Sequence, residues 1–177
     1  MTVTTTTEIR LLSKDDALTA LPDLCETLAD CIEGGASLGF MSPFAPDDGG
    51  AFWRGVAEAV GRGEVLLYGA YLGDRLVGTV QVGFALKPNQ PHRGDLMKLL
   101  VHRDARGLGL SKALMAAAEQ GAARAGRTLL VLDTAAGELA EGLYEKLGWQ
   151  RSGIIPNYAL FPDGRYCDTV IFWKTVA

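Results

Sequence analysis

The sequence predicts one α/β domain: a mixed antiparallel and parallel sheet of about seven strands with helices on both faces. Three observations lead there. Short β-forming runs and amphipathic helical stripes alternate along the 177 residues. Segments 65–72 and 76–86, joined at Gly73–Asp74, read as an antiparallel hairpin. Segments 95–101 and 128–133 flank a helix over 110–126, the arrangement of a right-handed parallel crossover.

Residues 1–7 read as a disordered leader and 8–177 as the single domain. Ile9, Leu11 and Leu12 form a first short strand. Ser13 to Asp16 offers helix N-caps, and Leu18, Leu21, Cys25, Leu28 and Ile32 make one apolar stripe of a helix that ends at Gly34–Gly35. The Gly-, Ser- and Pro-rich loop that follows contains Phe40, Met41 and Phe44, which either pack on the body or meet a ligand. A second helix spans 51–60. After the crossover, a short helix over 139–147 stops at Gly148. Strands 149–155 and 168–174 close the chain, separated by a long connection with a Pro-Asp-Gly turn at 162–164.

Composition narrows the function. Hydrophobic residues make up 48% and charged residues 21%, a globular balance that excludes a disordered chain. A chain of this length buries about 70% of its unfolded surface and needs no staple. A net charge of −4 disfavours general nucleic-acid binding. No segment approaches the ~20 apolar residues of a membrane span, and the start lacks a secretory pattern. Cys25, Cys31 and Cys167 are too few and too scattered for a disulfide framework or, with His92 and His102, a zinc site. They read as small core residues in a reducing cytoplasm. No metal is expected, and the chain is either a monomer or a homodimer.

The informative stretch is VHRDARGLGLSKALM, residues 101–115. A buried strand enters an Arg/Gly-rich turn that opens a helix. The first helical N–H groups have no internal partner and carry the positive end of the dipole, which suits an anionic phosphate. Gly107 and Gly109 leave the backbone open, and Arg106 and Lys112 add charge. The bland alternative is a glycine turn with two solvated basic residues. Neither a Walker loop nor a complete dinucleotide fingerprint is present.

This stretch resembles the acyl-CoA motif of the GNAT N-acetyltransferase superfamily, Arg/Gln-x-x-Gly-x-Gly/Ala. Ser111 stands where Gly or Ala is usual. Downstream, AEGLYEKLGW at 140–149 resembles the family's Leu-Tyr-Glu-Lys-Leu-Gly-Phe helix and following strand. The resemblance covers roughly 64–176. Within the superfamily, GGASLGFM, MKLLV, LDTAAG and PNYALFPDGR resemble the tabtoxin-resistance acetyltransferases, which acetylate a small β-lactam amino acid.

The resemblance implies acetyl transfer from acetyl-CoA to the amine of a small molecule, by direct attack in a ternary complex. Arg106, Gly107, Leu108, Gly109, Leu110, Ser111 and Lys112 would hold the pyrophosphate. Leu99, Leu100 and Val101 would lend backbone groups to the pantetheine arm. Tyr144 matches the tyrosine that protonates the departing thiolate in many members; its alternative is a half-buried packing role. Many members carry Asn at the position of Gly137, so one polar contact is missing here.

An amine of pKa near ~10 must lose a proton before it attacks. Asp95 matches a strand position where the family can hold a catalytic carboxylate. Asp133 closes the next strand, where ligands bind in such crossovers. Either could take the proton or hold the ammonium, or simply mark a strand start and cap a turn. Ser37 and Phe40 in the first loop, and Asn157, Tyr158 and Arg165 in the last, are candidate acceptor contacts. His102 reads as a strand-end residue, and Cys167 lacks an evident base partner. Two other functions compete: a protein N-acetyltransferase and a non-catalytic acyl-CoA-binding sensory domain.

Overall fold

The computed structural model describes residues 6–177. Seven strands form one sheet in the order β1-β2-β3-β4-β5-β7-β6, namely β1 (Thr7–Leu12), β2 (Val65–Leu72), β3 (Arg75–Phe84), β4 (Arg93–Val101), β5 (Leu129–Ala135), β6 (Gln150–Leu160) and β7 (Tyr166–Thr175). Helices α1 (Lys14–Thr19), α2 (Leu21–Glu33) and α3 (Gly50–Gly61) precede the hairpin, α4 (Leu110–Arg124) joins β4 to β5, and α5 (Leu139–Lys146) joins β5 to β6. The fold class is the mixed α/β sheet expected. Residues 1–5 of the expected leader lie outside the described residues, and Thr7 already belongs to β1.

The first helix is two helices. The stripe from Leu18 to Ile32 is interrupted at Ala20, which ends α1, and Pro22 sits in the first turn of α2, where its missing N–H costs nothing. Ser13 caps α1 with a reciprocal capping box to Asp16. The C-terminal connection is also shorter than expected. Strand β6 runs through Pro156 to Leu160 because it is an edge strand, where a residue without an N–H is tolerated, and its register breaks between Ile155 and Ala159. Asn157 and Tyr158 therefore lie in a strand bulge, not in a long loop.

Two apolar layers flank the sheet. One joins α4 and α5 to the strands through Leu114, Met115, Leu130, Leu132, Tyr144 and Phe172. The other joins α1–α3 to the opposite face through Leu24, Leu28, Ile32, Trp53, Leu67 and Leu100. Helix α4 presses close to β2 at Gly121. A Cβ there would lie 1.9 Å from the Tyr68 hydroxyl oxygen, so only glycine admits that ring.

The centre of the sheet positions the site. Strand β4 pairs with β5 in parallel only over Arg93–Asp95 against Leu129–Val131. Beyond that point, the edge of β4 facing β5 has no strand partner. On its other edge, β4 bulges: Thr79 pairs with Leu100 and Gln81 with Met97, leaving Lys98 and Leu99 opposite Val80 alone.

Candidate active site

The separation of β4 and β5 opens a wedge, and the residues around it come from both faces. Leu130 and Leu132 pack toward α4 and α5, so Val131 and Asp133 face the α1–α3 side by strand alternation. Asp95 stands level with Val131. Asp133 is two residues, about 7 Å, further along the strand direction on the same face. The two carboxylates differ in company. Asp95 is ion-paired with Arg93, which also bonds Gln90. Asp133 is exposed and has no ion-pair partner among the described residues.

Tyr144 lies on α5, buried in the apolar layer of the α4 and α5 side. Its ring packs against Trp149 and Phe172, with centroids 6.2 and 5.8 Å away. Burial, and secondarily the charge of Asp133, push its phenol up to about 12, so it stays protonated through the neutral range.

The strand-to-helix turn has the anion-binding geometry. Gly107 and Gly109 adopt φ of +80° and +75°, and a Cβ at either would meet nothing within 4 Å. The turn is therefore open space that the backbone N–H groups face unobstructed. No side chain caps α4, so its leading N–H groups keep their capacity for a ligand. The Nε of Arg106 donates to the Val101 carbonyl at 3.3 Å, which holds the guanidinium beside the turn. Leu110 is buried as an anchor, Leu108 and Lys112 are exposed, and Ser111 is half-buried. Leu99 and Val101 are half-buried and Leu100 is buried. An open glycine turn, an uncapped helix start and a neighbouring guanidinium are the donors that a phosphate-bearing ligand requires.

The loop after α2 spans the α1–α3 side. The Ser37 hydroxyl donates to Leu160 O at 2.8 Å, and the Ser42 N–H donates to Pro162 O at 3.0 Å. Phe40 is half-buried against Phe44 and Phe52, so it packs on the body. The Asn157 N–H donates to the Asp168 carboxylate at 2.8 Å, Tyr158 is exposed, and Arg165 pairs with Asp163. The Gly137 N–H donates to Glu141 at 2.7 Å.

Lys98 is the residue that the sequence reading missed. It has φ +53°, its carbonyl accepts from the Thr79 hydroxyl at 2.9 Å, and its Nζ donates to Leu38 O at 2.8 Å. The signal was a lysine inside the apolar run LMKLLV, where a charge needs a reason.

Several other residues have structural surroundings. His102 is buried, and its Nδ1 accepts from the Asp104 N–H at 3.2 Å. All three cysteines are buried, and Cys167 Sγ contacts Asp168 O. Among the described residues, no group of three or more His, Cys, Asp or Glu side chains could hold a metal, and no helix is long and apolar enough to cross a membrane. A cleft of about 520 Å³ beside α2 is lined by Glu26, Asp30, Glu33, Phe44 and His102, but not by Asp133 or Tyr144. Its acidic groups are paired with Arg75 and Arg103.

Comparison with known proteins gives the family and the fold. The acetyltransferase (GNAT) family matches residues 32–149, more than half of the chain. A proposed acetyltransferase from Acinetobacter baylyi is 26% identical, with a TM-score of 0.80, covering 99% of this chain and 95% of that one. A proposed acetyltransferase from Salmonella typhimurium, solved with acetyl-CoA, is 17% identical with a TM-score of 0.78, covering 97% and 94%. A phosphinothricin acetyltransferase from Sinorhizobium meliloti, also solved with acetyl-CoA, is 15% identical with a TM-score of 0.80, covering 97% and 89%. The last two share the fold. The family match, together with the open turn at the head of α4 and the parted central strands, identifies the chain as a member of the GNAT acetyltransferase family, an enzyme whose co-substrate is acetyl-CoA.

Proposed function

We propose that the enzyme acetylates the amine of a small molecule, an amino acid or a β-lactam toxin, by direct attack in a ternary complex. The observation that carries this reading is Asp133: an exposed carboxylate without a counter-ion at the parted strands, whose charge acts on Tyr144 and Lys98. In this reading Asp133 attracts the acceptor ammonium and takes its proton, directly or through water. Tyr144 donates its hydroxyl proton toward the departing sulfur. Asp95, neutralised by Arg93, contributes less. Residues 106–112 hold the pyrophosphate, and the unpaired edge of β4 at Leu99–Val101 receives the pantetheine arm.

The likeness of residues 34–41, 97–101, 132–137 and 156–165 to tabtoxin-resistance acetyltransferases supports the toxin variant of this reading. Ser37, Phe40, Asn157 and Tyr158 border the acceptor side. A protein acceptor is the second reading. The ties from Ser37 to Leu160 and from Ser42 to Pro162 disfavour it, because they close one side of the groove that a peptide would need. A sensory domain would have no use for an unpaired carboxylate beside a protonated phenol. Three buried free thiols suit a reducing cytoplasm.

The test is an acetyl-CoA turnover screen over amino acids, β-lactam toxins, polyamines and peptides. Turnover with a small amine supports the reading; turnover confined to peptides, or acetyl-CoA binding without turnover, overturns it.

A further inference from the structure

Lys98 is a partly desolvated cation without a carboxylate partner. The other lysines that meet carboxylates do so at short range, Lys14 with Glu58 and Lys174 with Glu119. Lys98 has no such contact among the described residues. Its Nζ donates once, to Leu38 O, and lies 5.9 and 5.6 Å from the ring centroids of Phe40 and Phe52. An ammonium has three donors, so two remain for a ligand.

The backbone is bent to bring it there. By alternation, Met97 and Lys98 should face opposite sides. The bulge places Lys98 on the α1–α3 side beside Phe40 and Phe52, while Leu99 packs with the α4 layer and Leu100 returns to the α1–α3 layer. A non-glycine residue at φ +53° is strained and persists only where its surroundings hold it. Thr79, fully buried, secures the bulge by bonding the Lys98 carbonyl.

Asp133 lies on the neighbouring strand β5, on the same α1–α3 side of the sheet as Lys98. Burial lowers the lysine's pKa, and Asp133 opposes that lowering, so the two charges sense each other. They form no salt bridge within 4 Å. A cation and an anion that interact without touching are complementary to a ligand carrying both charges.

We propose that Lys98 is a specificity-determining residue that binds the carboxylate of the acceptor while Asp133 receives its ammonium group, so that the substrates are amino acids and related carboxylated amines. This rests on the small-acceptor reading above and narrows it. A second role for Lys98, as donor to the thioester carbonyl, predicts an equal loss for every acceptor, and the experiment separates the two.

The experiment compares each amino acid that is turned over with its carboxamide, which keeps the amine and loses the negative charge. In the wild type, kcat/KM should favour the acid roughly ten- to hundredfold, as for a charge-assisted hydrogen bond. In Lys98→Met, which keeps the stem and removes the charge, that ratio should fall to within about threefold of unity, mainly through KM. Lys98→Arg should restore part of the ratio. A wild type without preference for the acid overturns the proposal. So does a Lys98→Met that keeps the preference or loses kcat equally on acid and amide. If no small amine is turned over at all, the proposed function fails by itself. Calorimetric titration of the same amino acids into the CoA-saturated protein then decides: binding that is lost in Lys98→Met supports the inference, and no binding to the wild type overturns it.

Discussion

Replacing Tyr144 with Phe removes one oxygen and little else. The ring keeps its neighbours Trp149 and Phe172, and the hydroxyl has no hydrogen-bond partner among the described residues. Stability at neutral pH should therefore hold. The kinetic effect depends on acid strength. With its phenol at about 12, Tyr144 is a weaker acid than a thiol of pKa ~8.5 by about 3.5 units, so complete transfer to a free thiolate would cost about 5 kcal/mol. Its contribution is then chiefly a hydrogen bond to the developing charge, worth about 1.5–3 kcal/mol. That corresponds to roughly a 10- to 150-fold loss of kcat, below the upper range of general acids. The assay is release of free CoA at saturating acetyl-CoA and acceptor, with single-turnover traces to establish that chemistry limits the rate. The pH dependence gives an independent reading. The unfolded phenol ionises near ~10 and the folded one near 12, so the contribution of Tyr144 to stability is whole below pH 10 and falls by about 3 kcal/mol as pH rises through 12. Tyr144→Phe should not show that fall. Unchanged kcat in the variant, or a wild-type alkaline limb between pH 7 and 9 that the variant lacks, would refute the argument.

Three further outcomes follow from the geometry. Arg106→Ala should weaken CoA binding about tenfold or more, and Gly109→Val more severely, since it must hold φ +75° and fill the open turn. Calorimetry on folded protein checks both, and unchanged affinity removes the anion site from this turn. Asp133→Asn should raise the acceptor KM or lower kcat with CoA affinity intact, while Asp95→Asn should do less because Arg93 already satisfies that carboxylate; equal effects would show that the two share the role. Gly121→Ala should destabilise by about 1–3 kcal/mol despite the better helix former, because of the Tyr68 hydroxyl 1.9 Å from the new Cβ. Chemical denaturation should find part of that loss recovered in Tyr68→Phe, and no recovery would mean that α4 itself is displaced.

Elements set by local pattern were legible from the sequence. The crossover from β4 through α4 to β5 was visible because a buried strand, a glycine turn and an apolar helical stripe follow one another without a gap. The hairpin of β2 and β3 was visible from Gly73–Asp74. What escaped depends on neighbours distant in sequence. Pro156 argues against a strand unless the strand is known to lie at an edge. Lys98 leaves the alternation only because it shares a bulge with Leu99 opposite the single residue Val80. The two aspartates looked equivalent in the sequence; the ion pair of Asp95 with Arg93 separates them, and only coordinates show which carboxylate stands without a partner.

The short seam between β4 and β5 has a mechanical consequence. Three rungs of parallel pairing join a four-stranded leaf, β1 to β4, to a three-stranded leaf, β5 to β7. With the loop ties from Ser37 and Ser42 and the linking helices, they bind two plates that a longer ladder would have fused. A molecule lodged between the plates would act as a missing strand beside the part of β4 that β5 leaves unpaired. Occupancy is thereby coupled to cohesion. At a hundred times its dissociation constant, such a filler adds about 2.7 kcal/mol to the folded state, a sizeable share of a typical domain's stability. The protein would be most firmly assembled when its co-substrate is abundant, and loosest when the cell has little to give it.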